Sequence, residues 1–102
     1  MNRILIKKNT VFAATKMNIS VDLTLSPLLD DYEKHVINFI KQLRASDFTV
    51  LENPLSTQIY GDYDKLMPFL TQEIKRSFDA VDISVLQMKI VKTDRSNYEP
   101  NF

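Results

Sequence analysis

The sequence predicts an α+β fold in which strands and helices follow one another in the order βαββαβ. Two periodicities indicate it: apolar and polar residues alternate in the strand-like stretches, and apolar residues recur every three or four positions in the helix-like ones. The chain has 102 residues, 44% of them hydrophobic, which suits one self-sufficient core. We therefore expect one domain at residues 18–95, an N-terminal extension at 1–17 and a polar tail at 96–102.

The first strand and the first helix are separated by a proline. In Asn18–Ser26 apolar and polar residues alternate, which is the period of a half-buried strand. Pro27 ends this strand, and Asp30 or Asp31 then stands where a helix would be capped. Apolar residues at helical spacing follow, and the first helix is expected to end near residues 45–47.

A hairpin is predicted next, because two strand-like stretches stand close together. They are Phe48–Glu52 and Leu55–Tyr60, joined by an Asn53-Pro54 turn whose residue types favour turn geometry. Gly61, the only glycine of the chain, is predicted to end the second strand at a position with positive φ.

The second helix is located by its proline and the last strand by its apolar residues. Because proline is tolerated best in the first helical turn, Pro68 predicts that this helix starts no earlier than about Asp64. The charged residues at 72–76 are expected to form a solvated helix face. Val81–Val91 is predicted as the last strand, with a bulge near Val85 where its apolar set changes parity.

This order of elements is that of the split βαβ unit of ferredoxin-like folds, in which two helices cover one face of a four-stranded antiparallel sheet. The other face is then open. The polar residues expected on it are Ser20, Asp22 and Thr24 of the first strand and Ser56, Gln58 and Tyr60 of the third. Leu86 and Met88 are expected to add apolar surface there, which predicts that a ligand or a second copy of the chain covers this face, in a dimer or tetramer.

The composition excludes several functional classes. Thirteen basic residues balance thirteen acidic ones, so the chain has no net field to attract nucleic acid or an anionic membrane surface. With no cysteine and one histidine, the chain can form neither a disulfide nor a thiolate zinc site. The residues therefore imply no metal and no cofactor.

No membrane or targeting segment is predicted. No apolar run approaches the roughly 18 residues of a membrane-spanning helix. Lys7, Lys8 and Asn9 interrupt the apolar stretch that a secretory signal would need. We therefore expect a cytoplasmic protein, in which residues 1–16 are an upstream-start extension, a tag-like leader or a further strand.

The sequence carries none of the common catalytic motifs, such as a glycine-rich phosphate loop, a metalloprotease helix or a nucleophile elbow. His35 has no nucleophile or acid recognisably placed beside it, and Asp30-Asp31 suits the start of a helix better than acid–base chemistry. An acylphosphatase-like hydrolase would need an arginine cradle after the first strand, where this chain has a Ser-Pro-Leu-Leu turn. We therefore expect no enzymatic activity.

Three stretches of the chain resemble the YkoF-like family of thiamine-binding proteins. The first is the strand and turn Val21–Leu28, followed by Asp30-Asp31. The second is Pro54–Gly61, a strand with hydroxyl side chains that is closed by a glycine, and the third is the strand end Lys89–Arg95. Their order and spacing carry the resemblance across residues 18–95.

The resemblance implies a non-catalytic ferredoxin-like domain that binds thiamine or its hydroxymethylpyrimidine part and supports thiamine uptake or salvage. Some members carry two such domains in one chain, so this single domain is expected to associate as a dimer or tetramer. Thr24, Ser56 and Thr57 match the hydroxyl-bearing pocket strands of the family. Ser26 stands where some members have an aromatic residue.

The expected ligand has an aminopyrimidine with hydrogen-bond donors and acceptors and, in thiamine, a cationic thiazolium. The predicted ligand-binding residues are Asp22, Thr24, Ser26, Ser56, Thr57 and Gln58, with Asp22 or Tyr60 near the cation. Because Ser56 and Thr57 alternate along a strand, both contact one pocket only if the strand bulges or the site wraps its edge. A second hypothesis is an assembly or regulatory module whose open face serves only for dimerisation.

Overall fold

The structure is a computed structural model that describes residues 16–102, so the predictions for residues 1–15 lie outside the described part of the chain. Its elements are strand β1 (Asn18–Pro27), helix α1 (Tyr32–Arg44), strands β2 (Thr49–Glu52) and β3 (Thr57–Asp62), helix α2 (Tyr63–Asp79) and strand β4 (Ser84–Lys92). This is the predicted order. Within residues 16–102, no helix is long and apolar enough to cross a bilayer.

The four strands form one antiparallel sheet in the order β2-β3-β1-β4. Strand β1 therefore lies in the interior, with Leu23 opposite Thr57 of β3 on one side and opposite Met88 of β4 on the other. Both helices pack against the same face of this sheet. The predicted ferredoxin-like α+β fold is confirmed.

The core lies between the sheet and the two helices. Its buried side chains are Ile19, Val21 and Leu23 of β1, Ile59 of β3, Phe39 and Leu43 of α1, and Leu66 and Leu70 of α2. Burial of one such side chain stabilises the fold by about 1.5–3 kcal/mol. The even-numbered residues of β1 point to the opposite side of the sheet, which we call the open face because the helices leave it uncovered.

Helix α1 begins close to the predicted residue but lacks the predicted side-chain cap. Asp31 occupies the N-cap position and makes no capping hydrogen bond. Its ψ of 47° departs from the extended backbone of most N-caps, and its carboxylate instead lies 3.0 Å from Lys34 Nζ. The helix ends at Arg44, with Ala45 as C-cap, as predicted.

The turn between β2 and β3 is confirmed and is longer than predicted. The Asn53 N–H donates to Ser56 O at 3.1 Å, and Asn53 Oδ1 accepts from the N–H groups of Leu55 and Ser56 at 2.8 and 3.0 Å. These bonds hold Ser56 in the turn, so β3 begins at Thr57.

Gly61 lies inside β3, opposite Ile19, and its φ is not positive, so the predicted role of this glycine is wrong. A Cβ at this position would lie 2.6 Å from Cδ1 of Phe48. The Phe48 ring in turn packs on the Phe69 ring, with 5.4 Å between the centroids. The glycine therefore makes room for an aromatic ring against the sheet.

Helix α2 starts at Tyr63, one residue before the predicted limit. The Tyr63 N–H donates to Met17 O at 2.7 Å, so the pairing of β1 with β3 leads directly into the helix. Pro68 consequently stands beyond the first turn and removes one helix hydrogen bond. The expectation that it would lie in the first turn is wrong.

Strand β4 carries no bulge. Its register with β1 is unbroken over the nine residues Ser84–Lys92. Val81 lies in the turn after α2, where its N–H donates to Phe78 O at 3.3 Å. The apolar residues shift from odd to even positions near the start of the strand, where the turn gives way to β4. The predicted bulge near Val85 is therefore wrong.

Leu86 and Met88 lie on the helix side of the sheet, because the register places them opposite Leu25 and Leu23. The expectation that they add apolar surface to the open face is therefore wrong. The β4 residues on the open face are Val85, Gln87, Lys89 and Val91.

The chain after β4 is bonded to the open face. Ser20 Oγ donates to Thr93 O at 2.7 Å and accepts from the Arg95 N–H at 2.8 Å. The Arg95 guanidinium carbon lies 5.0 Å from the centroid of the Tyr98 ring. Thr93 has a φ of 147°, a conformation that residues with a side chain rarely adopt. Ser20 thus holds the start of the tail.

Candidate functional site

The open face carries a hydrogen-bonded group of polar side chains from β1, from β3 and from the turn before β3. Gln58 Nε2 donates to Asp22 Oδ1 at 2.9 Å and to Ser56 Oγ at 2.7 Å. Asp22 and Gln58 are directly opposite each other in the register, which is why their side chains meet. Ser56 Oγ accepts this bond and can donate its own proton in turn, with the Asp22 carboxylate as the acceptor nearby.

The neighbours of Asp22 stabilise its negative charge. The hydrogen bond from Gln58 is the largest influence and lowers the pKa of Asp22; burial opposes it, and a hydrogen bond from Ser56 and then the positive charge of Lys89 lower it further. Burial raises the pKa of Tyr60, and nearby carboxylates raise it further. The open face therefore presents an ionised carboxylate and a neutral phenol at neutral pH.

A cavity of about 360 Å³ lies at the end of β1, beside the turn between β2 and β3. One wall consists of Tyr32, Val36, Phe39 and Ile40 of α1, and the other of residues 23–27 and 53–57. The volume lies within the range of small-molecule sites, about 300–1,000 Å³. Among residues 16–102, the lining includes no carboxylate, histidine, lysine or arginine, so the cavity is uncharged.

Four of the six predicted ligand-binding residues line this cavity, namely Thr24, Ser26, Ser56 and Thr57. Thr57 is 6% exposed and lies on the helix side of β3, opposite Leu23, whereas Thr24 is on the open face. The cavity wraps the end of the strand, so hydroxyl groups from both faces line it. This is one of the two conditions under which Ser56 and Thr57 can share a site.

The other two predicted residues, Asp22 and Gln58, lie on the open face beside the cavity and do not line it. Their contact with the cavity runs through Ser56, which accepts the hydrogen bond from Gln58. The structure therefore brings all six residues into one neighbourhood but divides them between a cavity and a polar group on the sheet.

The hydroxyl of Thr24 is only loosely bonded within the protein. Thr24 Oγ1 donates to Leu55 O, with 3.4 Å between the oxygens, which is long for such a bond. Leu55 itself is 85% exposed at the tip of the turn. The Thr24 hydroxyl can therefore exchange this acceptor for one on a ligand with little loss of hydrogen-bond free energy.

The helical wall of the cavity is not evident from the sequence. Periodicity assigns Tyr32, Val36 and Ile40 to the core stripe of α1, yet these residues line the cavity, and Tyr32 is 48% exposed. One signal was present, because Tyr32 is an aromatic residue soon after the proline that ends β1. Whether the Tyr32 side chain points into the core or toward the cavity depends on how α1 crosses the sheet, and periodicity does not specify that crossing.

A second cavity, of about 230 Å³, lies between α1 and α2 and contains none of the predicted residues. Its lining includes His35, Glu73 and Arg76. Glu73 is 7% exposed, on the inward stripe of α2 after Leu70, and lies 3.7 Å from the Arg76 guanidinium. The prediction of a solvated face at residues 72–76 is wrong for Glu73.

No protein-family model matches the sequence, and no curated protein matches it significantly. Solved structures are similar to it. A protein from Streptococcus pneumoniae superposes with a TM-score of 0.68 at 23% identity, covering 74% of this chain and 86% of that one. A candidate thiamine biosynthesis/salvage protein from Thermotoga maritima gives 0.65 at 16% identity, covering 72% and 81%. A domain of unknown function, DUF77, from Bacillus cereus gives 0.64 at 17% identity, covering 84% and 80%.

These likenesses show a shared fold. At 16–23% identity they support the ferredoxin-like architecture described above and no particular chemistry. A thiamine-related protein and a domain of unknown function have this architecture in common with the chain. They do not distinguish the YkoF-like family, whose resemblance to this chain rests on the three sequence stretches alone.

Proposed function

We propose that this protein binds the hydroxymethylpyrimidine part of thiamine, and thiamine itself more weakly, without catalysing a reaction. The observation that carries the proposal is the uncharged cavity at the end of β1, where hydroxyl-bearing residues face an aromatic and aliphatic helix wall. Two further facts support it. Three sequence stretches resemble the YkoF-like family, and a candidate thiamine biosynthesis/salvage protein has the same fold.

A pyrimidine suits this lining because its polar edge and its flat faces need different partners. The ring nitrogens and the exocyclic amine need hydroxyl or amide groups, which Thr24, Ser56 and Thr57 offer. The ring faces need an apolar or aromatic wall, which Tyr32 and the aliphatic residues of α1 offer. Ser56 Oγ accepts from Gln58, so the Ser56 hydroxyl would act as a donor to the ligand, in exchange for its contact with Asp22.

The uncharged lining favours the neutral pyrimidine over charged forms of the vitamin. The thiazolium of thiamine finds no carboxylate in the described lining, because Asp22, the residue predicted to balance it, lies outside the cavity. A phosphate ester would lose hydration without gaining a lysine or arginine partner there. We therefore expect the affinity to fall from hydroxymethylpyrimidine to thiamine and then to thiamine phosphate.

Binding without catalysis is proposed because the cavity offers no acid–base pair. Among the described residues of the lining, none has a side chain that ordinarily titrates near neutral pH. A protein that carries, senses or buffers a pyrimidine for uptake or salvage needs no such group. We place this role in the cytoplasm, since a chain without cysteine is compatible with a reducing compartment.

Isothermal titration calorimetry with hydroxymethylpyrimidine, thiamine and thiamine phosphate tests this proposal. We expect saturable binding of the pyrimidine, weaker binding of thiamine and the weakest binding of the phosphate. A hydroxymethylpyrimidine without its amino group is the matched control, and it should bind less tightly because a hydroxyl of the cavity then loses its partner. If all three ligands give no saturable heat, the proposal is wrong.

We also propose that the chain self-associates as a dimer or tetramer. Exposed apolar side chains stand on its outer strands, namely Leu51 of β2 and Val85, Met88, Ile90 and Val91 of β4. Apolar surface of this kind is typical of association between copies. Light scattering at micromolar concentration should give at least twice the mass of one chain, and a monomeric mass would contradict the proposal.

The same exposed residues favour a second candidate function, an assembly or regulatory module without a small-molecule ligand. In that case the calorimetric titrations would show no binding while the oligomer persisted. Saturable binding of the pyrimidine by an oligomer would favour the first candidate.

A further inference from the structure

We infer that the outer edge of β4 pairs with β4 of a second copy of this chain, in antiparallel orientation, across a two-fold axis at Met88. The inference rests on the self-association proposed above and names the surface that carries it. It is independent of ligand binding, because Met88 does not line the cavity at the end of β1.

Strand β4 presents a long outer edge. It is one of the two outer strands of the sheet and has nine residues, against four in β2. β1 pairs with one side of β4, and within residues 16–102 no strand pairs with its other side. Neither a proline nor a bulge interrupts it. Such an edge is a template for a further strand, since its outward backbone donors and acceptors lack strand partners within the described residues.

Exposed apolar side chains border this edge on both faces of the sheet. On the open face, Val85 and Val91 are 47% and 37% exposed. On the helix side, Met88 and Ile90 are 41% and 43% exposed, because α1 packs mainly over β1 and α2 mainly over β3. A partner strand at this edge would cover both apolar pairs.

The sequence of β4 is complementary to itself in one register. Met88 is the central residue of Ser84–Lys92, so a two-fold axis at Met88 pairs the strand over its whole length. The resulting pairs are Met88 with the partner's Met88, Val85 with the partner's Val91, Leu86 with the partner's Ile90, and Gln87 with the partner's Lys89. Apolar residues then meet apolar residues on both faces.

Neighbouring registers lack this complementarity. The axis must pass through a residue, because directly opposite residues of an antiparallel pair lie on the same face of the sheet. An axis at Gln87 would place Lys89 opposite the partner's Val85. An axis at Lys89 would place two lysines directly opposite each other, which is destabilising.

Charge substitutions at Met88 in the full-length protein test the pairing. In Met88→Lys and in Met88→Glu, each new charge meets its own copy at the axis. Each variant should raise the dissociation constant of the contact by about tenfold or more and lower the mass in sedimentation equilibrium. An equimolar mixture of the two variants should recover the wild-type mass, because a lysine then faces a glutamate.

Leu51→Lys and Leu51→Glu are the matched controls, because Leu51 is 44% exposed on the other outer strand. Both should keep the wild-type mass. Unchanged circular dichroism of all four variants should establish that they are folded. Titration with hydroxymethylpyrimidine should give the same result in the Met88 variants as in the wild type.

The outcomes separate this inference from the proposals above. A monomeric wild-type protein overturns both the self-association and the β4 pairing, whatever the ligand titration gives. A wild-type oligomer that persists in the Met88 variants, or that dissociates in the Leu51 variants instead, overturns the β4 pairing alone. A mixture of Met88→Lys and Met88→Glu that does not recover the mass also overturns it.

Discussion

Ser56 joins the two parts of the candidate site. It lines the cavity at the end of β1, and its Oγ accepts a hydrogen bond from Gln58, which also donates to Asp22 on the open face. In the proposed function, Gln58 acts on the ligand indirectly, by bonding to the Ser56 oxygen, and the Ser56 proton turns from Asp22 toward the ligand. Thr24, with its long bond to Leu55 O, supplies a second hydroxyl.

Removing either hydroxyl should weaken binding and leave the fold almost unchanged. We expect Ser56→Ala and Thr24→Val each to reduce the affinity for hydroxymethylpyrimidine by about 1–3 kcal/mol, roughly five- to a hundredfold, because a polar atom of the ligand loses its partner. Calorimetric titration measures the affinity, and thermal unfolding measures the stability. Thr49→Val, on β2 away from the cavity, is the matched control. Unchanged affinity in both cavity variants would mean that the ligand binds elsewhere.

At the scale of the elements, the contact between Phe48 and β3 explains the only glycine. Phe48 precedes β2, and its ring lies over Gly61 while packing on Phe69 of α2. The close approach joins the start of the hairpin to its second strand and to a helix. A side chain at position 61 would have to displace this ring.

Gly61→Ala should therefore lower the free energy of unfolding by about 1–3 kcal/mol, the usual effect of overpacking. The added Cβ would lie 2.6 Å from Cδ1 of Phe48 and push the ring away from Phe69. Urea unfolding measures the change. Phe48→Leu, alone and combined with Gly61→Ala, completes a double-mutant cycle. The two substitutions should be less than additive, and additivity would show that this contact does not determine the effect.

At the scale of the whole molecule, β1 lies in the interior of the sheet and, through Ser20, also bonds to the chain that follows β4. Ser20 bonds to Thr93 O and to the Arg95 N–H, across 73 and 75 residues of sequence. Ser20 is 8% exposed, so its hydroxyl is largely removed from water. Thr93, held between these bonds and β4, has the unusual φ of 147°.

Ser20→Ala should lower the free energy of unfolding by about 1–3 kcal/mol, because two partly buried hydrogen bonds are lost and their backbone partners are left unsatisfied. Thr93→Gly should raise it, or at least leave it unchanged, since glycine adopts this φ without steric strain and that gain opposes its larger chain entropy. Thermal and urea unfolding measure both. A Ser20→Ala variant as stable as the wild type would mean that these two bonds contribute nothing to the stability of the fold.

The sequence by itself determined the order of the elements, the buried face of β1 and the turn at Asn53-Pro54. These depend on local properties: side chains alternate along any strand, and Asn53 bonds to the backbone two and three residues later. Thr24, Ser26, Ser56 and Thr57 line one cavity for a different reason, because the tertiary structure pairs the end of β1 with the start of β3 and the turn before it.

Only the tertiary structure decided what depends on contacts between distant residues. The Phe48 ring leaves no room for a side chain at position 61, and packing between the helices buries Glu73. Met88 is exposed because the two helices pack mainly over β1 and β3. The wall that Tyr32 gives to the cavity depends likewise on how α1 crosses the end of β1. Periodicity specifies which side of an element is apolar, whereas the fold alone specifies what that side contacts.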